Sequence, residues 1–291
     1  PQPGEKVRLI LQSGAEDAVD LVVGAFGVHG PLARQVSALN FGYRPPPTLP
    51  SYQTELRWGE DAVSQRLENI IHTYALALPG IKFAALIPKR EHVTATLVGS
   101  QAGPEALAAF LAHPVVARRL PPGWRLPATY CHCRPRVPMG PCRQPFTDRV
   151  VIIGDASDSR LYKNGLESAY VTAQAAAETA IKHGISGAAW EQYYYPTCRR
   201  MVQDSRFGRV LFWLNDVALV SHPLSRLFLD AARREQDRYP PAQRAINQIL
   251  WSTFTGDRPY RQILGAALHP RVLARLAYLG LNLPWGRRES P

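Results

Sequence analysis

The sequence predicts a mixed α/β fold (α+β in its layering), in which one sheet domain is interrupted by an antiparallel sheet domain and followed by a helical C-terminal region. Three observations predict it. Two apolar runs, "AVDLVVGA" (Ala18 to Ala25) and "VVII" (Val150 to Ile153), read as strands of one buried sheet although they lie far apart in the chain. Between them, "IKFAALIP" and "HVTATLVG" are joined by the short polar turn Lys89-Arg90-Glu91, a hairpin signal. From Ser186 onward the pattern is helical, with many aromatic residues and no internal repeat. The expected boundaries are 1–40 and 146–185 for the interrupted domain, 41–145 for the antiparallel domain and 186–291 for the helical region.

Taken in order, "VRLILQ" (Val7 to Gln12) and Ala18 to Ala25 read as two strands, the second a continuous apolar run of the kind buried on both faces. Gly24, Gly27 and Gly30 follow. Their spacing is G-x-x-G-x-x-G, not G-x-G-x-x-G, and no acid closes a second strand about 20 positions on, so the dinucleotide fingerprint is incomplete. The proline-rich stretch Gly42 to Ser51 reads as a linker or irregular crossing. "YQTELRW" and the hairpin runs are strands, and "GPEALAAFLAHPVV" is a short helix with Pro104 in its first turn. "ATYCHCRPRVP" returns as a strand, and "DRVVIIGDA" re-enters the buried sheet. From Leu166 apolar residues fall at 166, 169, 170, 173, 176, 177, 180 and 181, the stripe of a helix whose buried face is mostly alanine. It stops at Lys182-His183-Gly184, with cations in the last turn and glycine as C-cap.

The net charge is +11, and 29 of the 34 basic residues are arginine. A basic surface attracts nucleic acid, anionic lipid or an anionic cofactor, but no nucleic-acid-binding motif or dense basic block is present, so nucleic acid is not an expected partner. No stretch reaches the ~20 apolar residues of a membrane span. The longest candidate, Val210 to Val220, is interrupted by Asn215 and Asp216. It reads as core, with an interfacial helix flanked by Arg206 and Arg209 as the alternative. The opening "PQPGEKVRLI" carries no secretory signal and no Met, which reads as an interior start; the expected location is the cytoplasm, with peripheral membrane contact as an addition to it. Cys131, Cys133, Cys142 and Cys198 are too few for a disulfide scaffold. Cys131 and Cys133 share a strand face while His132 points away, so no metal site is expected, and the thiols read as reduced and buried.

The informative stretch is "VIIGDASDSRLYKNGLESAY". Ligands of open α/β sheets sit beyond the carboxyl ends of the strands, where Asp155 lies. Gly165 lets backbone approach a ligand at the start of the alanine-rich helix, whose free N–H groups favour negative charge. A polyol attached to a group that becomes negative fits both features. Two plainer readings stand beside it: Asp155 as a turn cap, and Asp155 with Asp158 as ligands for Mg²⁺.

This stretch resembles the second FAD-binding motif of the flavoproteins that share the para-hydroxybenzoate hydroxylase fold, most closely their geranylgeranyl reductase-like branch. "VDLVVGAFGVHG" resembles that family's "DLVVGADGVNS" segment, "LPGIKFAALIPKREHVTATLVG" its substrate-domain hairpin, and "WSTFTGDRPYRQIL" the helical C-terminal region of some bacterial members. The resemblance implies FAD as cofactor. It makes Asp155 the ribityl ligand and Gly154 the close-approach residue, with Lys163, Asn164, Gly165 and Leu166 as the flavin-facing turn. It implies hydride transfer through flavin N5, of reductase or monooxygenase type, on a small-molecule or lipid-like substrate, with NAD(P)H or another electron donor.

The chain departs from the family in three places. It lacks the N-terminal βαβ unit carrying G-x-G-x-x-G, Phe26 stands where the family has Asp, and Ala84-Ala85 stand where prenyl reductases tend to carry an aromatic residue. The first departure implies an N-terminally truncated enzyme, or else a non-catalytic remnant or partner subunit of a split flavoprotein. No side chain reads as a compelling acid or base; Arg160, Tyr162 and Lys163 are polar groups near the expected ring or solvated loop residues, and His132 reads as a satisfied interior histidine.

Overall fold

A computed structural model describes residues 5–28, 30–74, 76–162 and 165–282. The chain divides into two compact units, one from Pro1–Gly27, Leu32–Pro46 and Gly140–Pro291, the other from Val28–Pro31 and Pro47–Met139.

In the first unit, β1 (Val7–Ile10) and β2 (Glu16–Val19) form an antiparallel ribbon, and β3 (Val22–Gly24) then starts the main sheet. The run Ala18 to Ala25 is therefore two strands. Asp20 breaks it, since its carbonyl and carboxylate both accept from the Arg149 guanidinium, at 3.2 and 3.4 Å. Helix α1 (Leu32–Ala38) follows, and the proline-rich crossing is no solvated linker: Tyr43 is buried and its hydroxyl donates to the Ala156 carbonyl at 2.7 Å.

The second unit holds β4 (Thr48–Arg57), α2 (Glu60–Leu67), β5 (His72–Tyr74), β6 (Ile81–Lys89), β7 (His92–Gly99), α3 (Pro104–Ala112), α4 (Pro114–Ala117), β8 (His132–Cys133) and β9 (Arg136–Pro138). Its sheet runs β5-β6-β7-β4-β8, with β9 also pairing β4, and every pair is antiparallel. Alternation does the work here: Tyr52, Leu56, Ala84, Leu86, Val93, Ala95 and Leu97 bury against Val63 and Leu67 of α2 and Leu107, Phe110 and Leu111 of α3. Gly99 is obligatory in β7, because a Cβ there would lie 2.0 Å from the Gly80 carbonyl oxygen. Entry and exit of this unit meet, with Met139 N–H donating to the Pro47 carbonyl at 2.7 Å.

The chain then returns to the first unit as β10 (Phe146–Thr147) and β11 (Val150–Ile152), and the sheet order is β10-β11-β3. β11 is central and wholly buried, as its sequence requires. β3 pairs with it in parallel, Val22 opposite Val150 and Gly24 opposite Ile152. β3 lies at the edge of the described sheet, and the face that carries Val23 is uncovered: Val23 is 48% exposed, against the expectation of a strand covered on both faces.

Helices complete the unit: α5 (Gly165–Lys182), α6 (Gly187–Ala189) with a π turn over Trp190–Tyr194, α7 (Tyr195–Val220), α8 (His222–Arg238), α9 (Ala245–Thr255), α10 (Tyr260–Ala267) and α11 (Pro270–Leu281). Two helix faces differ from expectation. The side of α5 that is buried carries Ser168, Thr172, Ala176 and Thr179, while Leu166, Tyr170 and Ile181 of the apolar stripe are exposed. Small hydroxyl side chains tolerate this burial because they bond back along the helix, Thr172 Oγ1 to the Ser168 carbonyl at 2.8 Å and Thr179 Oγ1 to the Ala175 carbonyl at 2.7 Å. In α7, Val210 to Val220 is not core throughout: Leu211 is buried, but Val210, Trp213, Leu214, Val217 and Val220 are exposed. Apart from Asn215 and Asp216 that segment is apolar, and much of its apolar surface stays uncovered.

The exposed His132 is not an interior histidine. It stacks on Tyr52 with ring centroids 5.2 Å apart. Cys131 and Cys133 flank it and are exposed free thiols, so only Cys142 and Cys198 match the expectation of buried cysteine.

Candidate functional site

β11 delivers the chain at Ile153 into a 3-10 turn, Gly154–Ala156. Gly154 has φ +66, a left-handed conformation that glycine adopts without strain, and a Cβ on it would pack at 3.5 Å against that of Ala169. Its N–H is buried in the turn and donates to Thr172 Oγ1 at 2.8 Å. One helical turn earlier, Ser168 Oγ accepts the N–H of Arg160 at 3.1 Å. The buried face of α5 thus serves as the bed of the loop, and its Ser and Thr are there for their oxygens.

Asp155 projects from this turn toward the start of α5, where a Cβ on Gly165 would lie 3.3 and 3.4 Å from its two carboxylate oxygens. Its Oδ1 is buried and has no hydrogen-bond partner. Burial pushes the carboxyl pKa up, with Ser159 working the other way. An acceptor oxygen left without a protein donor is open to a hydrogen bond from outside the chain, which a hydroxyl-bearing ligand could supply. Beside it is an opening of about 510 Å³ lined by Ala25, Gly27, Ile153, Gly154, Asp155, Gly165, Leu166 and Ala169. Five of the eight lining residues are glycine or alanine, the others being Ile153, Asp155 and Leu166, and Leu166 is 90% exposed.

Of the residues expected at the site, Gly154, Asp155, Gly165 and Leu166 meet around this opening. Lys163 and Asn164 lie outside the described residues. Gly27, with φ +64, joins them from the loop after β3. Phe26 does not face the opening as an acid would. Its ring packs at the edge of Tyr43 and lies so close over Gly24 that a Cβ there would come within 2.7 Å of it.

Asp158 turns inward rather than toward Asp155. It is 1% exposed and accepts the Cys142 N–H at 3.1 Å. Ser157 Oγ stands 3.1 Å from Tyr194 OH and 3.9 Å from Cys198 Sγ. Burial pushes Asp158 up to about 6 and Cys198 up to about 12, so the thiol stays protonated. No group of three or more His, Cys, Asp or Glu that could hold a metal ion is found among the described residues.

The far side of the loop is fastened by residues that sequence reasoning missed. The Arg160 guanidinium donates to the Gly256 carbonyl at 2.5 Å and to the Arg258 carbonyl, lies 4.4 Å over the Tyr260 ring, and stands 3.5 Å from Asp204. Tyr260 OH donates to the Leu161 carbonyl, and Leu161 N–H donates to Ser205 Oγ at 3.2 Å. Asp204 accepts from the N–H groups of Tyr260 and Arg261 at 2.8 and 3.0 Å, capping α10. Arg160 is therefore neither a ring-facing group nor a solvated loop residue. The one sequence signal for any of this was Ser168, Thr172 and Thr179 inside an alanine-rich helix.

No protein-family profile matches the chain, and no curated protein matches it by sequence. Solved structures do. The flavin-dependent halogenase BrvH from Brevundimonas sp. BAL3 superposes with TM-score 0.51 at 18% identity, over 97% of this chain and 58% of that one. A geranylgeranyl bacteriochlorophyll reductase-like protein from Thermoplasma acidophilum gives 0.57 at 12% identity, over 94% and 66%. A flavoprotein/dehydrogenase from Cytophaga hutchinsonii gives 0.57 at 13%, over 94% and 65%. The fold is that of FAD-binding oxidoreductases, and the chain spans between 58% and 66% of the length of these structures.

Proposed function

We propose that this chain is the larger part of an FAD-dependent oxidoreductase of reductase or monooxygenase type. The observation that carries the reading is the buried Asp155 Oδ1 without a donor, set in an opening lined by Gly27, Gly154 and Gly165. The residues fit the group: Asp155 would accept hydroxyl hydrogen bonds from the ribityl chain, and Gly154 and Gly165 admit it closely. Bound flavin supplies hydride transfer through its N5, or activation of O₂. The start of α5, with Gly165 and Leu166 and by resemblance Lys163 and Asn164, faces the edge of the ring that gains charge on reduction. Its free N–H groups and dipole favour that charge. The second unit is assigned to the substrate, a small molecule or a lipid-like one, within the sequence-derived boundaries 41–145. Reducing equivalents come from NAD(P)H or another donor such as reduced flavin. No helix of the described chain is long and apolar enough to cross a membrane.

A second reading rests on a specific observation. β3 ends the sheet with a free parallel edge, Val23 is 48% exposed, and Leu166, Tyr170 and Ile181 of α5 are uncovered. Parallel strands are normally covered on both faces. A βαβ unit carrying G-x-G-x-x-G would pair with β3 and cover α5, and in this reading that unit comes from a separate chain, so that flavin is held only by the two together.

The absorption spectrum of the purified chain, before and after incubation with FAD and desalting, separates the two. A retained flavin spectrum that Asp155→Ala abolishes supports the enzyme reading. A colourless chain that gains flavin only when the upstream βαβ segment is co-expressed supports the partner reading. A colourless chain under both conditions overturns the flavin assignment.

A further inference from the structure

We propose that the exposed face of α7 is a docking surface for an anionic lipid bilayer, lying in the plane of the membrane interface. α7 is 26 residues long and has two unlike sides. Its inner side, with Cys198, Ser205, Gly208 and Leu211, is buried, and Gly208 packs directly against the Tyr260 ring. The outer side carries Phe207, Val210, Trp213, Leu214, Val217 and Val220, exposed by 42, 44, 62, 39, 41 and 84%. These positions recur at three and four residues and run along one face for roughly 20 Å. A continuous apolar stripe of that length on a helix fixed by its other side marks an interaction surface.

Charge decides the occupant. Arg206 and Arg209 flank the stripe, both exposed and neither with an ion-pair partner among the described residues. The only acid between Ser205 and Val220, Asp216, is half-buried. The region from Ser186 onward has 15 basic residues against 8 acidic ones. Aliphatic side chains and a tryptophan beside unpaired arginines are the composition of an interfacial helix, in which the apolar side sinks about 5–10 Å and the guanidiniums meet lipid phosphates. The helix is long enough to span but not apolar enough to do so. This inference is independent of the flavin reading, since α7 presents this face with or without a cofactor.

The test is sedimentation of the full flavin-free chain with phosphatidylcholine vesicles, with and without about 30% phosphatidylglycerol. The anionic vesicles should bind about tenfold more tightly, and less so as salt rises. Trp213→Ser with Val217→Ser should weaken binding about tenfold at unchanged circular dichroism. Arg206→Glu with Arg209→Glu should remove the preference for anionic lipid. Failure of the wild-type chain to bind either vesicle overturns the proposal, as does binding that both variant pairs leave unchanged. Concentration-dependent self-association abolished by Trp213→Ser would also overturn it, since a second copy would then be the occupant.

Discussion

Thr172 Oγ1 accepts the N–H of Gly154 at 2.8 Å while donating to the Ser168 carbonyl at the same distance. One hydroxyl thus fixes the turn that presents Asp155 to the helix beneath it. Thr172→Val keeps the shape and deletes the acceptor, leaving a buried N–H unpaired. A loss of about 1–3 kcal/mol is expected in thermal or urea unfolding, and Thr172→Ser should recover most of it. Flavin affinity should fall with Thr172→Val as well, since Gly154 and Asp155 move together.

Stability should depend on pH through Asp158. Burial raises its pKa from 3.8 to about 6. Between these values the folded chain holds a proton that the unfolded chain has released. The ionised, buried carboxylate therefore costs stability in full above pH 6, and the cost is relieved as pH falls toward 4. Asp158→Asn retains an acceptor for the Cys142 N–H and should stabilise the chain by up to about 3 kcal/mol at neutral pH. Melting temperatures of the two proteins, measured from acid to neutral pH, should converge at the acid end.

Asp155 gives a second pH dependence with a different readout. Its pKa is also raised by burial, and its role as acceptor needs the ionised form. Flavin affinity should weaken as pH is lowered through that raised value. In Asp155→Asn the slope should vanish while a weaker affinity remains, which a fluorescence titration at several pH values would show.

Gly208 is held to glycine by the Tyr260 ring. A Cβ there would stand 2.7 Å from Cδ2, and Tyr260 cannot swing aside without releasing Leu161. Gly208→Ala should cost about 1–3 kcal/mol by overpacking, although alanine is the better helix former. Tyr260→Phe removes only the hydroxyl and should loosen the loop at Leu161 with less effect on the global melt. Hydrogen exchange at the Leu161 amide would tell the two apart.

Glu235 is fully buried among α8, α9 and α11, accepting from Arg275 at 2.8 Å and from the Asn247 N–H at 3.0 Å. Glu235→Ala leaves an unpaired guanidinium and should destabilise this helical cluster by about 3–5 kcal/mol. Glu235→Gln, which keeps an acceptor, should cost less. Amide exchange in α8, α9 and α11 should rise before that of the second unit.

Much of this was legible in the sequence, and for local reasons. The hairpin at Arg90-Glu91, the buried β11 and the Gly-Asp turn all follow from patterns within a few residues. What escaped were relations between distant segments. Which elements cover the face of β3 is set by segments far along the chain, so an apolar run could not reveal that Val23 is half exposed. The buried face of α5 was misplaced because serine and threonine count as polar in a periodicity search, yet here they bury by bonding to Gly154 and Arg160. Arg160 read as a loop residue because its partners come from positions 204 and 256 to 260, far outside the window that a local pattern covers.

The hydrogen bond between Met139 N–H and the Pro47 carbonyl joins the two ends of the second unit, and this bears on the order of folding. β3 and β11 pair across 128 positions, from Val22 to Val150. In an unstructured chain that contact is among the slowest to find. Once the second unit has folded, its ends are pinned together, and the remaining chain between the two strands shrinks to the short arms on either side. Closing such a loop costs far less entropy, so a non-local pairing becomes effectively local. The inserted sheet would then act as the nucleus of a search it does not itself take part in, and the Asp155 turn would be among the last elements to form.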